Sequence, residues 1–149
     1  MAESKYLFLK KLAQDKEESA AERMRVAQSR LSEAETRLEQ LRTFHAEYQQ
    51  RLVASGMKGM SVLQWRDFQA FIARLAEALK TQENEVDRAR QNHALEKHAW
   101  QEERKRVKAF EKLMEREAEE ALKRENRAQQ KTTDEFAARK FWDTQHKPE

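Results

Sequence analysis

Glycine and proline, the residues that interrupt helices, stand at three positions only, Gly56, Gly59 and Pro148. A proline inside a helix costs about 3 kcal/mol and a glycine about 1 kcal/mol. The two long stretches on either side of Gly56 and Gly59 carry neither, so both can stay helical throughout. Charged residues make up 38% of the 149 and aromatics 8%, too few apolar groups for a layered core but enough for a narrow seam between helices.

The apolar spacing supplies that seam. In the first half it runs Met24, Ala27, Leu31, Ala34, Leu38, Leu41, His45, Tyr48, Leu52, and the steps alternate three and four. The second half repeats the pattern at Trp65, Phe68, Ile72, Leu75, Leu79, Gln82, Val86, Ala89, His93, Glu96, Trp100, Glu103, Val107, Phe110, Met114, Glu117 and Ala121. This is the heptad of a coiled coil. A disordered, highly charged chain gives no reason for such regularity.

Between the runs lie both glycines, then Ser61-Val62-Leu63-Gln64, which reads as a capping box opening the second helix. A loop this short joins antiparallel neighbours. The expected fold is all-α, a single domain formed by a long two-helix antiparallel coiled-coil hairpin with an overhanging C-terminal helix. Helix one is expected over about 4–52, the turn over 53–61, helix two over about 62–138 and a flexible tail over 139–149.

Pairing Leu52 with Trp65 sets the expected register: Leu41 faces Leu75, Met24 faces His93, and Trp100 lies near Ala13, Ala20 and Ala21. Gln82, His93, Glu96 and Glu103 interrupt the seam, so its turn end, unbroken from Trp65 to Leu79, is expected to be the most stable part. The intramolecular seam covers the apolar face of both helices through most of their length, which predicts a monomer.

Thirty basic residues against 27 acidic ones leave a formal charge of +3, with the signs interleaved as on a solvated helix surface. The densest basic cluster, Arg104, Lys105, Arg106 and Lys108, is flanked by Glu102, Glu103 and Glu111, which argues against nucleic acid as a partner. The absence of cysteine fits a reducing compartment. Met1 to Leu9 holds too short an apolar run for a signal peptide, and no run approaches a membrane span, so a cytoplasmic protein without direct membrane insertion is expected.

Nothing in the sequence carries catalytic chemistry. A phosphate-binding glycine loop cannot be built from Gly56 and Gly59. The histidines His45, His93, His98 and His146 never stand four apart on one helix face, as a metal pair would. The carboxylates Glu115, Glu117, Glu119 and Glu120 sit on a solvated helix, where no pocket shifts their pKa. No enzyme activity, cofactor, metal or small-molecule substrate is expected.

The chain resembles the FliJ family, the small coiled-coil component of the bacterial flagellar type III export apparatus. The resemblance covers nearly the whole chain. It rests on Leu9, Leu12 and Ala13 followed by Ala20-Ala21, on the Tyr48 segment, on Trp65-Arg66-Asp67-Phe68-Gln69-Ala70-Phe71-Ile72, and on Glu125-Asn126-Arg127 leading to Asp134-Glu135-Phe136-Ala137. The tail Phe141-Trp142-Asp143-Thr144-Gln145-His146 is richer in aromatics than the family pattern.

The resemblance implies a coupling rod, similar to the central stalk of rotary ATPases, that binds a hexameric export ATPase (FliI-like) and an export gate protein (FlhA-like) and handles export chaperones. Its place would be cytoplasmic, peripherally on the inner membrane at the flagellar base. Phe71 and Leu75, i and i+4 at the seam's edge, match the family segment that docks on the gate. The overhang, with Ala121, Leu122, Arg124 and Arg127 and the Ser4 to Lys16 start of helix one beside it, is the expected ATPase-binding end. The competing class is a scaffold or chaperone-like coiled coil, or the equivalent stalk of a virulence-type secretion system.

Overall fold

The computed structural model describes residues 4–146. They form two helices, α1 (Leu7–Met57) and α2 (Val62–Gln145), packed antiparallel as a helical hairpin, and no strand occurs among the described residues. The backbone divides into two compact units. One comprises residues 16–103, the other residues 1–15 with 104–149.

The turn is shorter than the glycines suggest. Helix α1 runs through Val53 and Gly56 to Met57, and only Lys58 to Ser61 link the helices, where the sequence had pointed to a turn over 53–61. Gly56 does not break α1. It makes room, since a Cβ there would lie 2.9 Å from Cζ3 of Trp65. Gly59 is the terminator, at φ +85°, the left-handed conformation that closes helix ends and that side chains disfavour. Its N–H donates to the Gly56 carbonyl at 3.4 Å, and Lys58 N–H donates to Ser55 at 3.1 Å.

The capping box then starts α2. Gln64 N–H donates to Ser61 Oγ at 3.2 Å, and Ser61 N–H donates to Gln64 Oε1 at 3.4 Å. Two backbone donors at the new helix end are thereby satisfied. Trp65 lies against Gly56, and Arg23 Nε meets Glu96 Oε2 at 3.2 Å, each within about one turn of the expected register, which the contact of Gln82 with Ala34 also keeps.

In the unit of residues 16–103, every seam position from Met24 to Leu52 is buried or half-buried, as are those of α2 from Phe68 to Glu103. Burial is deepest at Ala20, Ala27, Leu38 and Val86, not at the turn end, where Trp65 and Phe71 stay more than a third exposed. Small residues let two helices approach closely, while a bulky aromatic holds them apart and leaves its own edge in water. Gln82 also fits the seam, its Nε2 donating 3.0 Å to the Ala34 carbonyl.

In the other unit Ala13 and Val107 are the buried pair. Ser4 opens α1, its Oγ accepting from Tyr6 N–H and donating to Glu117 Oε2, each at 3.2 Å. Beyond Glu117, α2 continues without cover, and every residue from Ala118 to His146 is exposed. The stretch to Gln145 is about 42 Å at 1.5 Å per residue. It includes residues 139–145, expected as a flexible tail but helical here; residues 147–149 of that tail lie outside the described residues. Its last turn is braced by Trp142 and His146, whose rings stack at 3.6 Å.

Candidate functional site

Two exposed surfaces, one in each unit, carry the residues singled out in the sequence. In the unit of residues 16–103 the capping box fixes the phase of α2, and that phase puts Phe68 in the seam and Phe71 at its edge. Tyr48, projecting from α1, gathers both: its ring meets Phe71 edge-on at 4.8 Å and Phe68 at 5.9 Å. The Arg51 guanidinium lies 5.2 Å over the outer side of the same ring. Geometries of this kind add about 0.5–1.5 kcal/mol beyond the area they bury.

Phe71 remains 38% exposed. It forms one wall of a cleft of about 550 Å³, closed at the turn by Lys58, Gly59 and Met60 and across α2 by Gln64, Asp67 and Phe68. The cleft is open to solvent and sets Met60, Phe68 and Phe71 beside the charged Lys58 and Asp67. Leu75 does not share it. One turn further along α2, Leu75 is half-buried in the seam, so of the expected pair Phe71 is the more exposed. The cleft was not foreseen, because it depends on the path of Lys58 to Met60; the seam position of Tyr48 was the available signal.

In the other unit Ala121, Leu122, Arg124 and Arg127 are all exposed on the uncovered part of α2. Arg124 Nε donates to the Glu120 carbonyl at 3.4 Å, within its own helix. Three threonines on this stretch, Thr132, Thr133 and Thr144, turn their hydroxyls onto carbonyls one turn back at 2.8–2.9 Å. The helix therefore satisfies its own polar groups and offers a ligand side chains rather than bare backbone. Phe8, Leu9 and Leu12, at the start of α1 in this unit, are exposed as well. The sequence places this Ser4 to Lys16 segment at the expected ATPase-binding end without singling out Phe8, which stands four residues before Leu12 on one face.

Among the described residues no group of His, Asp and Glu is placed to hold a metal ion, and no helix is long and apolar enough to cross a membrane. Both surfaces set apolar side chains among mixed charges.

Comparison with known proteins agrees with this architecture over nearly the whole chain. The family profile described as Flagellar FliJ protein matches residues 3–146. The Flagellar FliJ protein of Escherichia coli (strain K12) is 31% identical over 131 residues, covering 88% of this chain and 89% of its own. That of Salmonella typhi is 30% identical over the same shares of the two chains. With a two-helix fold and a match running from the first helix to the last turn of the second, the chain belongs to the FliJ family of flagellar proteins.

Proposed function

We propose that the chain is a non-catalytic coupling component of the flagellar protein export apparatus. It binds the hexameric export ATPase through the uncovered part of α2, with the start of α1 beside it, and the export gate protein through the Phe71 edge. It also handles export chaperones, and it works at the cytoplasmic face of the inner membrane at the flagellar base.

The observation that carries the reading is the exposed helix from Ala118 to Gln145. A single helix about 10–12 Å across with its side chains fits a narrow central opening. Its charges, among them Lys123, Arg124, Glu125, Arg127 and Lys131, make exposed pairs worth roughly 0.2–1 kcal/mol each. Contacts that weak can be exchanged between ring subunits as the ring changes state, whereas one tight buried pair would pin a single subunit.

Deleting residues 118–149 tests the ATPase arm. Loss of ATPase binding and stimulation, with the remaining hairpin still helical by circular dichroism, is the expected result; unchanged binding and stimulation end the reading. For the gate arm, Phe71→Ala is expected to weaken binding with thermal stability preserved. Leu75→Ala, which cuts the seam, is expected to lower stability as well. Gate binding untouched by Phe71→Ala removes that face from the proposal.

A further inference from the structure

Helix α1 carries a second seven-residue repeat beside its seam: Lys16, Arg23, Arg30, Arg37, Phe44 and Arg51. Because the seam also repeats every seven residues, this stripe keeps to one flank of the hairpin along the unit of residues 16–103. The interleaving of charges in the sequence conceals it.

The two flanks of this unit are not alike. On one, the charges are matched across the helices, with Arg90 to Glu35 at 3.7 Å and Arg42 to Glu83 at 3.9 Å. On the other, Arg23 meets Glu96 at 3.2 Å, but Arg30 and Arg37 border a cleft of about 350 Å³ with Glu33, Glu85, Arg88 and Asn92. Glu85 is engaged by Arg88 at 3.4 Å. Among the described residues neither Arg30 nor Arg37 has an ion-pair partner, and at seven-residue intervals along this side α2 sets Ala78, Glu85, Asn92 and Ala99, of which Glu85 alone is charged.

The same flank exposes apolar side chains between its cations. Leu95, seven residues beyond Arg88, is 70% exposed, and Val26, four residues before Arg30, is also exposed. Phe44, 51% exposed, stands in the stripe itself between Arg37 and Arg51.

We propose that this flank is the docking surface for an acidic amphipathic helix of a partner protein, laid along the hairpin as a third strand of the coil. Acids at seven-residue spacing meet Arg30 and Arg37, and apolar residues between them cover Leu95 and Val26. A regular ladder of cations selects a ligand with the same regularity, which a helix has. The apolar groups interspersed with the arginines favour a helix over a nucleic acid, whose contacts are to phosphates. A second copy of this chain does not fit, because nowhere in it do three acids follow one another at seven-residue spacing. The inference is independent of the Phe71 edge and of the uncovered part of α2.

The test uses the full chain and a labelled synthetic four-heptad peptide with Glu at every seventh position and Leu between, followed by fluorescence anisotropy at about 0.15 M salt. Binding is expected, weakened about tenfold by Arg30→Gln with Arg37→Gln. Leu95→Ser, which alters no charge, is expected to weaken it too, and Arg25→Gln with Lys80→Gln, on the matched flank, to leave it within about threefold. Equal losses from both charge pairs overturn the proposal, as does unchanged binding in the Arg30 and Arg37 variant. Sedimentation showing a dimer that dissolves in that variant assigns the flank to a second copy instead. Tighter binding of duplex RNA than of the peptide, lost in the same variant, assigns it to nucleic acid, and either result overturns the inference.

Discussion

Gly56 and Trp65 are a fitted pair: the ring of Trp65 occupies the space in which a Cβ on Gly56 would lie, 2.9 Å from Cζ3. A glycine inside a helix ordinarily costs about 1 kcal/mol against alanine. In a Trp65→Ala background, Gly56→Ala is therefore expected to stabilise by about that amount. With Trp65 present the gain is cancelled or reversed, giving a coupling of about 1 kcal/mol or more in a double-mutant cycle followed by urea unfolding. Equal gains in both backgrounds would mean that ring and glycine are independent.

Gly59, three residues on, has the opposite requirement. Nothing lies within 4 Å of a Cβ built there, but its φ is +85°, so the penalty is conformational rather than steric. Gly59→Ala is expected to cost about 1–2 kcal/mol and Gly59→Asn less, since asparagine tolerates this region. Denaturation midpoints in that order check it; an alanine variant as stable as the parent would contradict the helix-terminating role.

The seam was legible in the sequence almost position by position, because heptad spacing is a property of the chain alone. The helix ends were not. Gly56 reads as a breaker until Trp65 is seen against it, and Phe141 and Trp142 read as a loose tail although the helix continues beneath them to Gln145. Where burial is deepest was not legible either: it falls at small residues such as Ala20 and Ala27, which the heptad spacing does not distinguish from the larger ones. Of the surfaces, the exposure of Phe71 could be read from its place one residue off the seam. Its cleft could not, being made by the backbone of Lys58 to Met60.

Ala20 is completely buried, and the Arg23 to Glu96 contact brings Trp100 to its level on α2. Enlarging it has nowhere to go. Ala20→Leu is expected to cost about 1–3 kcal/mol by overpacking. Ser19→Leu, on the exposed face next to it, should stay within about 0.5 kcal/mol. Thermal unfolding of the two variants side by side decides; similar losses would show that the site is not tight.

Gln82 is a polar seam residue that reaches across to the other helix's backbone, the Ala34 carbonyl at 3.0 Å. That carbonyl belongs to the interior of α1, so removing the amide leaves no acceptor stranded. Gln82→Leu is expected to raise stability by about 1 kcal/mol through added apolar burial. A lower urea midpoint would instead give the cross-helix hydrogen bond the larger share.

The alanines of α1 have a consequence for alignment. Ala20, Ala27 and Ala34 stand at identical intervals, so sliding α2 past them by one heptad, about 10 Å, would set each small residue where another had been. A ladder of identical rungs cannot distinguish neighbouring settings. The setting is indexed by the unrepeated parts: Trp65 in the notch of Gly56, Gly59 turning the chain, and Ser61 with Gln64 starting α2 on a fixed residue. Cutting the chain between Lys58 and Ser61 would leave the two helices able to pair but without an origin to count from, and pairings displaced by a heptad, absent from the intact hairpin, would appear as cross-links between cysteines placed at residues 23 and 89 or 23 and 103, beside the native pair at 23 and 96.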